Sequence, residues 1–220
     1  MNREELAKMI DHTQLNPFAT EDDIKRLCEE AKKYHFYGVI VNPYYVKLAK
    51  ELLKGTEIKV MSVIGFPFGA TYKEVKALEA ELAIRDGADE LDMVMNISAA
   101  KSGRWDVVKE DISAVNKVAK SHGKLLKVII ETGYLTDDEK IKACQVAVEA
   151  GADYVKTSTG FGKGGATVHD VELMAKAVNG KAKVKASGGI HTAEDAIKMI
   201  NAGASRIGAS HSVEIIESLK

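Results

Sequence analysis

Short apolar runs alternate with longer segments whose apolar positions recur every three or four residues, and this alternation continues from one end of the chain to the other. The short runs read as strands: MIDHT (9–13), GVIVN (38–42), KVMSVIG (59–65), ELDMVMN (90–96), LLKVII (125–130), DYVKT (153–157), KVKAS (183–187) and RIGAS (206–210). Between them the period lengthens to that of a helix in TEDDIKRLCEEAKKY, PYYVKLAKELLK, TYKEVKALEAELAIRDG, WDVVKEDISAVNKVAKSHG, TDDEKIKACQVAVEAG and TAEDAIKMINAG. Several of these open on Thr followed by acidic residues, which suits a helix N-cap and first turn. RDGADELDM, EAGADYVKT and NAGASRIGA echo one another, each closing a helix at Gly before entering a strand.

Eight strands alternating with helices suit an eight-stranded βα barrel or a doubly wound open sheet, and periodicity alone does not separate the two. The strand count and the repeated helix-Gly-strand joint favour the barrel. The expected fold is α/β, a TIM barrel over residues 1–220 with a short N-terminal helix. No linker-like stretch divides the chain, which has only three prolines, so one domain is the economical reading.

The 220 residues are 45% hydrophobic, enough to fill one large core. The 31 basic and 32 acidic residues nearly cancel, which gives no support to a nucleic-acid or membrane-surface role. No apolar run approaches the length of a membrane span, and the N-terminus lacks a signal-like core, so a cytoplasmic protein is expected. Cys28 and Cys144 lie in helical patterns and read as buried thiols. The six histidines show no metal-ligand spacing, so no metal is expected.

Active sites of βα barrels form at the C-terminal ends of the strands, where three charges stand out. In ELDMVMN the period of two places Leu91, Met93 and Met95 on one face, leaving Asp92 to point inward. Lys156 and Lys185 occupy late positions on neighbouring strands, where burial and mutual repulsion lower an amine's pKa and make it a nucleophile. The alternative is that the lysines reach solvent or pair structurally with Asp92. Lys127 and Glu131 read as a mutual pair or as site-lining groups, and Asp11 as a polar strand end or a ligand contact. His12 and His211 follow strands, which leaves two readings, a reach to the barrel mouth or, as the favoured one, a surface or capping role.

Gly160, Gly162 and Gly165 formally match the dinucleotide fingerprint, but no acidic residue ends the following strand, so that reading is set aside. SGGI (187–190) and the IGAS ending (207–210) follow strands seven and eight, where many barrels hold a phosphate through backbone N–H groups.

Taken together, IDHT, VNP, SVIGFPFG, ELDMVMNI, LKVIIETGYL, DYVKTSTGF, VKASGGI, TAEDA and RIGAS make the chain resemble the deoxyribose-phosphate aldolases over nearly its whole length. The resemblance implies reversible cleavage of 2-deoxy-D-ribose 5-phosphate to D-glyceraldehyde 3-phosphate and acetaldehyde, with no cofactor. It implies Lys156 as the Schiff-base residue, with Lys185 and Asp92 as its partners in proton transfer. Gly188, Gly189, Gly208 and Ser210 are implied as the phosphate site, with Gly160 and Ser187 as lesser candidates, and Asp11 and Thr159 lie near substrate hydroxyls. A homo-oligomer is expected on the same ground. Two departures stand out: Phe161 occupies a place where some relatives carry a phosphate-contacting lysine, with Lys163 two residues later, and His211 replaces a small hydroxyl residue. The competing readings are another phosphosugar barrel lyase or isomerase, and a non-catalytic phosphosugar-binding protein.

Overall fold

The computed structural model describes residues 1–219. The strands are β1 (Ile10–Gln14), β2 (Gly38–Val41), β3 (Lys59–Ile64), β4 (Glu90–Val94), β5 (Leu125–Ile129), β6 (Tyr154–Lys156), β7 (Lys183–Ser187) and β8 (Arg206–Ala209). All neighbours pair in parallel, and β8 returns to β1 through Gly208 beside Asp11, closing the barrel. An open sheet is thereby excluded.

The helices are α1 (Arg3–Ala7), α2 (Glu21–Tyr34), α3 (Val46–Leu52), α4 (Lys73–Arg85), α5 (Ile97–Lys101), α6 (Trp105–Ser121), α7 (Asp137–Glu149), α8 (Val168–Val178), α9 (Ala193–Asn201) and α10 (Ser212–Ser218). Thr20, Thr136 and Thr192 cap α2, α7 and α9, each closing a capping box with an acid three residues on. Thr71 does not cap α4, which begins one residue later than its sequence suggests, with Tyr72 at the cap position and no side-chain cap bond. The segment PYYVKLAKELLK divides into a short 3-10 turn over Pro43–Tyr45 and α3, because proline starts a turn without an N–H to donate. The three echoed joints end at Gly87, Gly151 and Gly203 with φ of 113°, 89° and 119°, a backbone that lets the chain leave the helix and turn at once into the next strand.

Strand side chains alternate between two environments. Leu91, Met93, Leu126, Val128, Val155, Val184 and Ile207 face outward into the apolar layer shared with the helices. Inside the barrel, Ile40, Met61 and Val63 fill the side beneath β2 and β3. The remaining interior, normally packed with branched apolar side chains, is occupied by charge.

Candidate active site

Seven charged side chains share the barrel interior. Lys156 and Lys185 are register partners on β6 and β7, and their Nζ atoms donate to the same Asp92 oxygen, Oδ2, at 2.9 and 2.8 Å. Asp92 Oδ1 accepts from Lys127 Nζ at 2.8 Å, and Lys127 also meets Glu90 Oε2 at 2.6 Å. On the far side Lys185 donates to Asp11, whose other oxygen lies 3.1 Å from Arg206 Nη1. The Arg206 guanidinium covers the Tyr37 ring at 3.3 Å from its centroid, and Tyr37 donates to Glu90 at 2.6 Å. The contacts therefore close into a ring, from which Lys156 branches at Asp92. Gly208 makes room for this packing, since a Cβ there would sit 3.0 Å from Lys185 Cε.

Charge counting around the ring explains the electrostatics. Glu90, Asp92 and Asp11 balance Lys127, Lys185 and Arg206, so a proton on Lys156 would be a seventh, uncompensated charge in a buried place. Burial, with Asp92 opposing and the Lys185 and Lys127 ammonium groups adding to it, pushes the Lys156 amine down to about 8. Burial acts against the Asp92 charge, but Lys127, Lys156 and Lys185 outweigh it and hold its carboxyl well below the usual carboxylate range. Lys127 moves the other way, because Asp92, Glu90 and Asp11 overcome its burial and raise it.

Above Lys156 opens a cavity of about 550 Å³. Lys156, Thr159 and Gly160 form one wall, and Ser187, Gly188, Gly189, Gly208 and Ser210 another. His12, Gln14 and Asn16 from the β1 end and Arg26, Leu27 and Glu30 from α2 complete it. The loops after β6 and β7 are stitched together by the Ala166 N–H, which donates to the carbonyls of Ser187 and Gly188 at 3.1 and 3.0 Å. Ser187 donates in turn to the Ser158 carbonyl at 2.6 Å. A closer interlock joins the loops after β5 and β6: a Cβ on Gly133 would lie 1.6 Å from the Lys163 carbonyl oxygen, so only glycine fits there.

The residues singled out from the sequence fall into two tiers. Lys156, Thr159, Gly160, Ser187, Gly188, Gly189, Gly208 and Ser210 line the cavity, while Asp92, Lys185 and Asp11 lie in the fully buried layer beneath it. Lys127 and Glu131 do not pair with each other: Lys127 joins the ring, whereas Glu131 binds Thr159. His12 is not a surface or capping residue. It belongs to β1, is 3% exposed, lines the cavity and meets Glu30 at 2.7 Å, and burial keeps its imidazole pKa low despite that partner. His211 is exposed at the start of α10 without a side-chain cap bond; of this pair it is His191, its ring 4.7 Å away, that reaches the cavity lining. Lys163 does not line the cavity.

Two of the three glycines of the dinucleotide-like pattern serve loop packing, and the third, Gly160, lines the cavity. Gly162 lies against the Glu131 carboxylate and Gly165 against the Gly188 carbonyl, and α8 begins only at Val168. Asp137, His169 and Asp170 gather on the outer face of α7 and α8, where the Lys140 ammonium meets both carboxylates at 3.1 and 2.6 Å and fills the seat a cation would take. Burial pushes the Cys28 and Cys144 thiols up to about 11 and about 12, which leaves both as inert core residues.

Glu90, Arg206 and Tyr37 are the members of the interior that sequence reasoning missed. Glu90 carried a usable signal, since it shares the inward parity of Asp92 on β4. Arg206 and Tyr37 carried none, because their partners come from β1 and β4 only when the barrel closes.

Comparison with known proteins agrees with this arrangement. Residues 6–213 match the DeoC/LacD family aldolase profile. A deoxyribose-phosphate aldolase of Aciduliprofundum boonei is 62% identical over 220 residues, covering 100% of this chain and 99% of its relative. One from Thermococcus gammatolerans is 62% identical over 218 residues, covering 98% and 97%. The solved structure of deoxyribose phosphate aldolase from Aeropyrum pernix, described as a unique tetramer, superposes with a TM-score of 0.93 at 38% identity, covering 99% of this chain and 92% of that one. A charged barrel floor beneath a glycine-walled cavity, with a full-length match to these relatives, places the chain in the deoxyribose-phosphate aldolase family.

Proposed function

We propose that the protein cleaves 2-deoxy-D-ribose 5-phosphate reversibly to D-glyceraldehyde 3-phosphate and acetaldehyde, with Lys156 as the nucleophile. The observation that carries this reading is the Lys156 amine itself, which is pushed down to about 8, bonded to Asp92 and open to the cavity. A neutral amine adds to the C1 aldehyde of the open-chain sugar, and loss of water leaves a protonated imine. As the C3 hydroxyl gives up its proton, the C2–C3 bond breaks and its electrons flow into the imine to form an enamine, releasing the three-carbon aldehyde. The enamine is then protonated on C2, and water hydrolyses the acetaldehyde imine.

These proton transfers require an acid/base group beside the reacting carbons, a role we assign to Asp92 with Lys185, which share the Lys156 contact. No cofactor enters the scheme, because the imine is itself the electron sink. We assign the phosphate to the backbone around Gly188, Gly189, Gly208 and Ser210, with Ser187 and Gly160 beside it. Asp11 lies below the cavity and bonds Lys185, so we read it as the group that holds Lys185 in place and not as a direct sugar contact. We further read residues 1–220 as one cytoplasmic catalytic domain that assembles with copies of itself, as the A. pernix relative does. Among the described residues no helix is long and apolar enough to cross a membrane.

Trapping tests the chemistry. Borohydride reduction in the presence of acetaldehyde is expected to leave an ethyl adduct that peptide mapping assigns to Lys156. An adduct on another residue, or none, overturns the reading.

A further inference from the structure

Glu131 stands just past β5 with its backbone at φ 57°, a conformation uncommon for a residue with a side chain, and is 1% exposed. Both of its carboxylate oxygens serve one neighbour on the next loop. Oε1 accepts the Thr159 N–H at 3.1 Å, and Oε2 accepts the Thr159 hydroxyl at 2.5 Å. The loop wraps closely around this carboxylate, since a Cβ on Gly162 would lie 2.8 Å from Oε2.

A threonine hydroxyl has one proton to donate and two lone pairs with which to accept. The Thr159 proton is committed to Glu131, and one lone pair receives the Phe161 N–H at 3.0 Å. One lone pair is left on this hydroxyl, and Thr159 lines the cavity. Thr159 therefore presents an acceptor and no donor to whatever binds there.

We propose that Glu131 is a positioning residue that fixes Thr159 as a hydrogen-bond acceptor, so that the site selects a phosphorylated three-carbon ligand with a hydroxyl on its middle carbon. This rests on the aldolase reading for its placement of the ligand. With the reacting carbon at Lys156 and the phosphate at Gly188 and Gly189, the carbon between them passes Thr159, which stands in the same cavity wall three residues beyond Lys156. A middle-carbon hydroxyl donates to the free lone pair. A carbonyl there sets acceptor against acceptor, and a methylene leaves the lone pair unsatisfied in a buried place.

Calorimetric binding of three analogues that lack an aldehyde tests this without requiring turnover: sn-glycerol 1-phosphate, which has the hand of D-glyceraldehyde 3-phosphate, dihydroxyacetone phosphate and 3-hydroxypropyl phosphate. They differ only at the middle carbon, and borohydride reduction with mass measurement checks that the ketone forms no imine on Lys156. The native protein is expected to bind the first more tightly than the other two by about tenfold to a hundredfold. In Glu131→Gln the carboxamide oxygen keeps the Thr159 N–H while its NH2 donates to Oγ1, turning the hydroxyl proton toward the cavity. Dihydroxyacetone phosphate should then gain at least several-fold on 3-hydroxypropyl phosphate. Thr159→Val should bring all three within a few-fold of one another, and Thr159→Ser should restore the native order. Equal binding by the native protein overturns the proposal. So does an unchanged order in Glu131→Gln, the result expected if a protonated Glu131 donates to Thr159. Acetaldehyde trapping on Lys156, run on each variant, separates the two readings: its failure in the native protein counts against the aldolase chemistry, while the analogue order still reports the polarity of Thr159.

Discussion

The Lys156 amine is set by opposing neighbours, and each can be removed in turn. Burial and the Lys185 and Lys127 ammonium groups lower its pKa, while Asp92 raises it. Imine trapping on the native protein should therefore increase with pH and level off, with a midpoint near about 8. Lys185→Leu removes a repelling charge and is expected to move the midpoint upward. Asp92→Asn removes the attracting charge and is expected to move it downward, while also slowing the proton transfers that follow. The pH dependence of borohydride-trapped adduct measures both shifts, and movement of both midpoints in one direction would contradict the assignment of opposing roles. Lys156, Lys185 and Asp92 could be found in the sequence because a charge at an inward-facing strand position violates the expected apolar pattern. The functions of Asp11 and Arg206 were not legible in this way. Each stands at or near the start of its strand, where a polar residue is unremarkable, and they meet only because β8 closes onto β1.

At the scale of elements, β4 must hold Asp92 in place, and a second buried pair secures the end of that strand. Lys76 on α4 donates to the Val94 carbonyl at 2.9 Å and to Asp111 on α6 at 2.8 Å, and Asp111 accepts the Asn96 N–H at 2.9 Å. Burial shifts both members toward their neutral forms, lowering Lys76 and raising Asp111, so their attraction does not fully offset their loss of water. Removing one partner strands the other: Asp111→Leu is expected to cost about 3–5 kcal/mol in urea unfolding. The double change Lys76→Met with Asp111→Leu should recover a large part of that loss, and a simple sum of two penalties would show that the pair is not coupled. The eight strands and six of the helices, α2, α3, α4, α6, α7 and α9, could be read from periodicity, whereas no helical segment was delimited for α8, behind the glycine-rich loop. α5 and α10, of five and seven residues, are too short to display a helical period and went unread, while the equally short α3 was found only as part of the longer run PYYVKLAKELLK. Lys76 was hidden for a different reason, since a lysine in the middle of an amphipathic helix reads as solvent-facing.

Over the whole molecule, the catalytic amine is a liability to folding, and pH reveals its size. The six ring charges cancel, whereas a proton on Lys156 adds one that nothing balances. Its pKa is about 8 in the folded protein against 10.5 in the unfolded chain, so between those values the unfolded chain binds more protons. Stability from this group therefore rises as pH increases through that window. Below about 8 both states are protonated and the full penalty applies, about 3 kcal/mol by the size of the shift. Lys156→Met fills nearly the same volume without the charge, and Asp92 keeps Lys127 and Lys185 as partners. The variant should be inactive yet melt several degrees above the native protein at pH 6 to 7, each kcal/mol being worth about 2–4 °C in a chain of this size. The gain should shrink as pH rises above about 8 and disappear near 10.5, where the native amine is neutral in both states. Melting curves of the two proteins across that range measure it, and an advantage that stays constant with pH would place its origin in packing, not in the charge on Lys156.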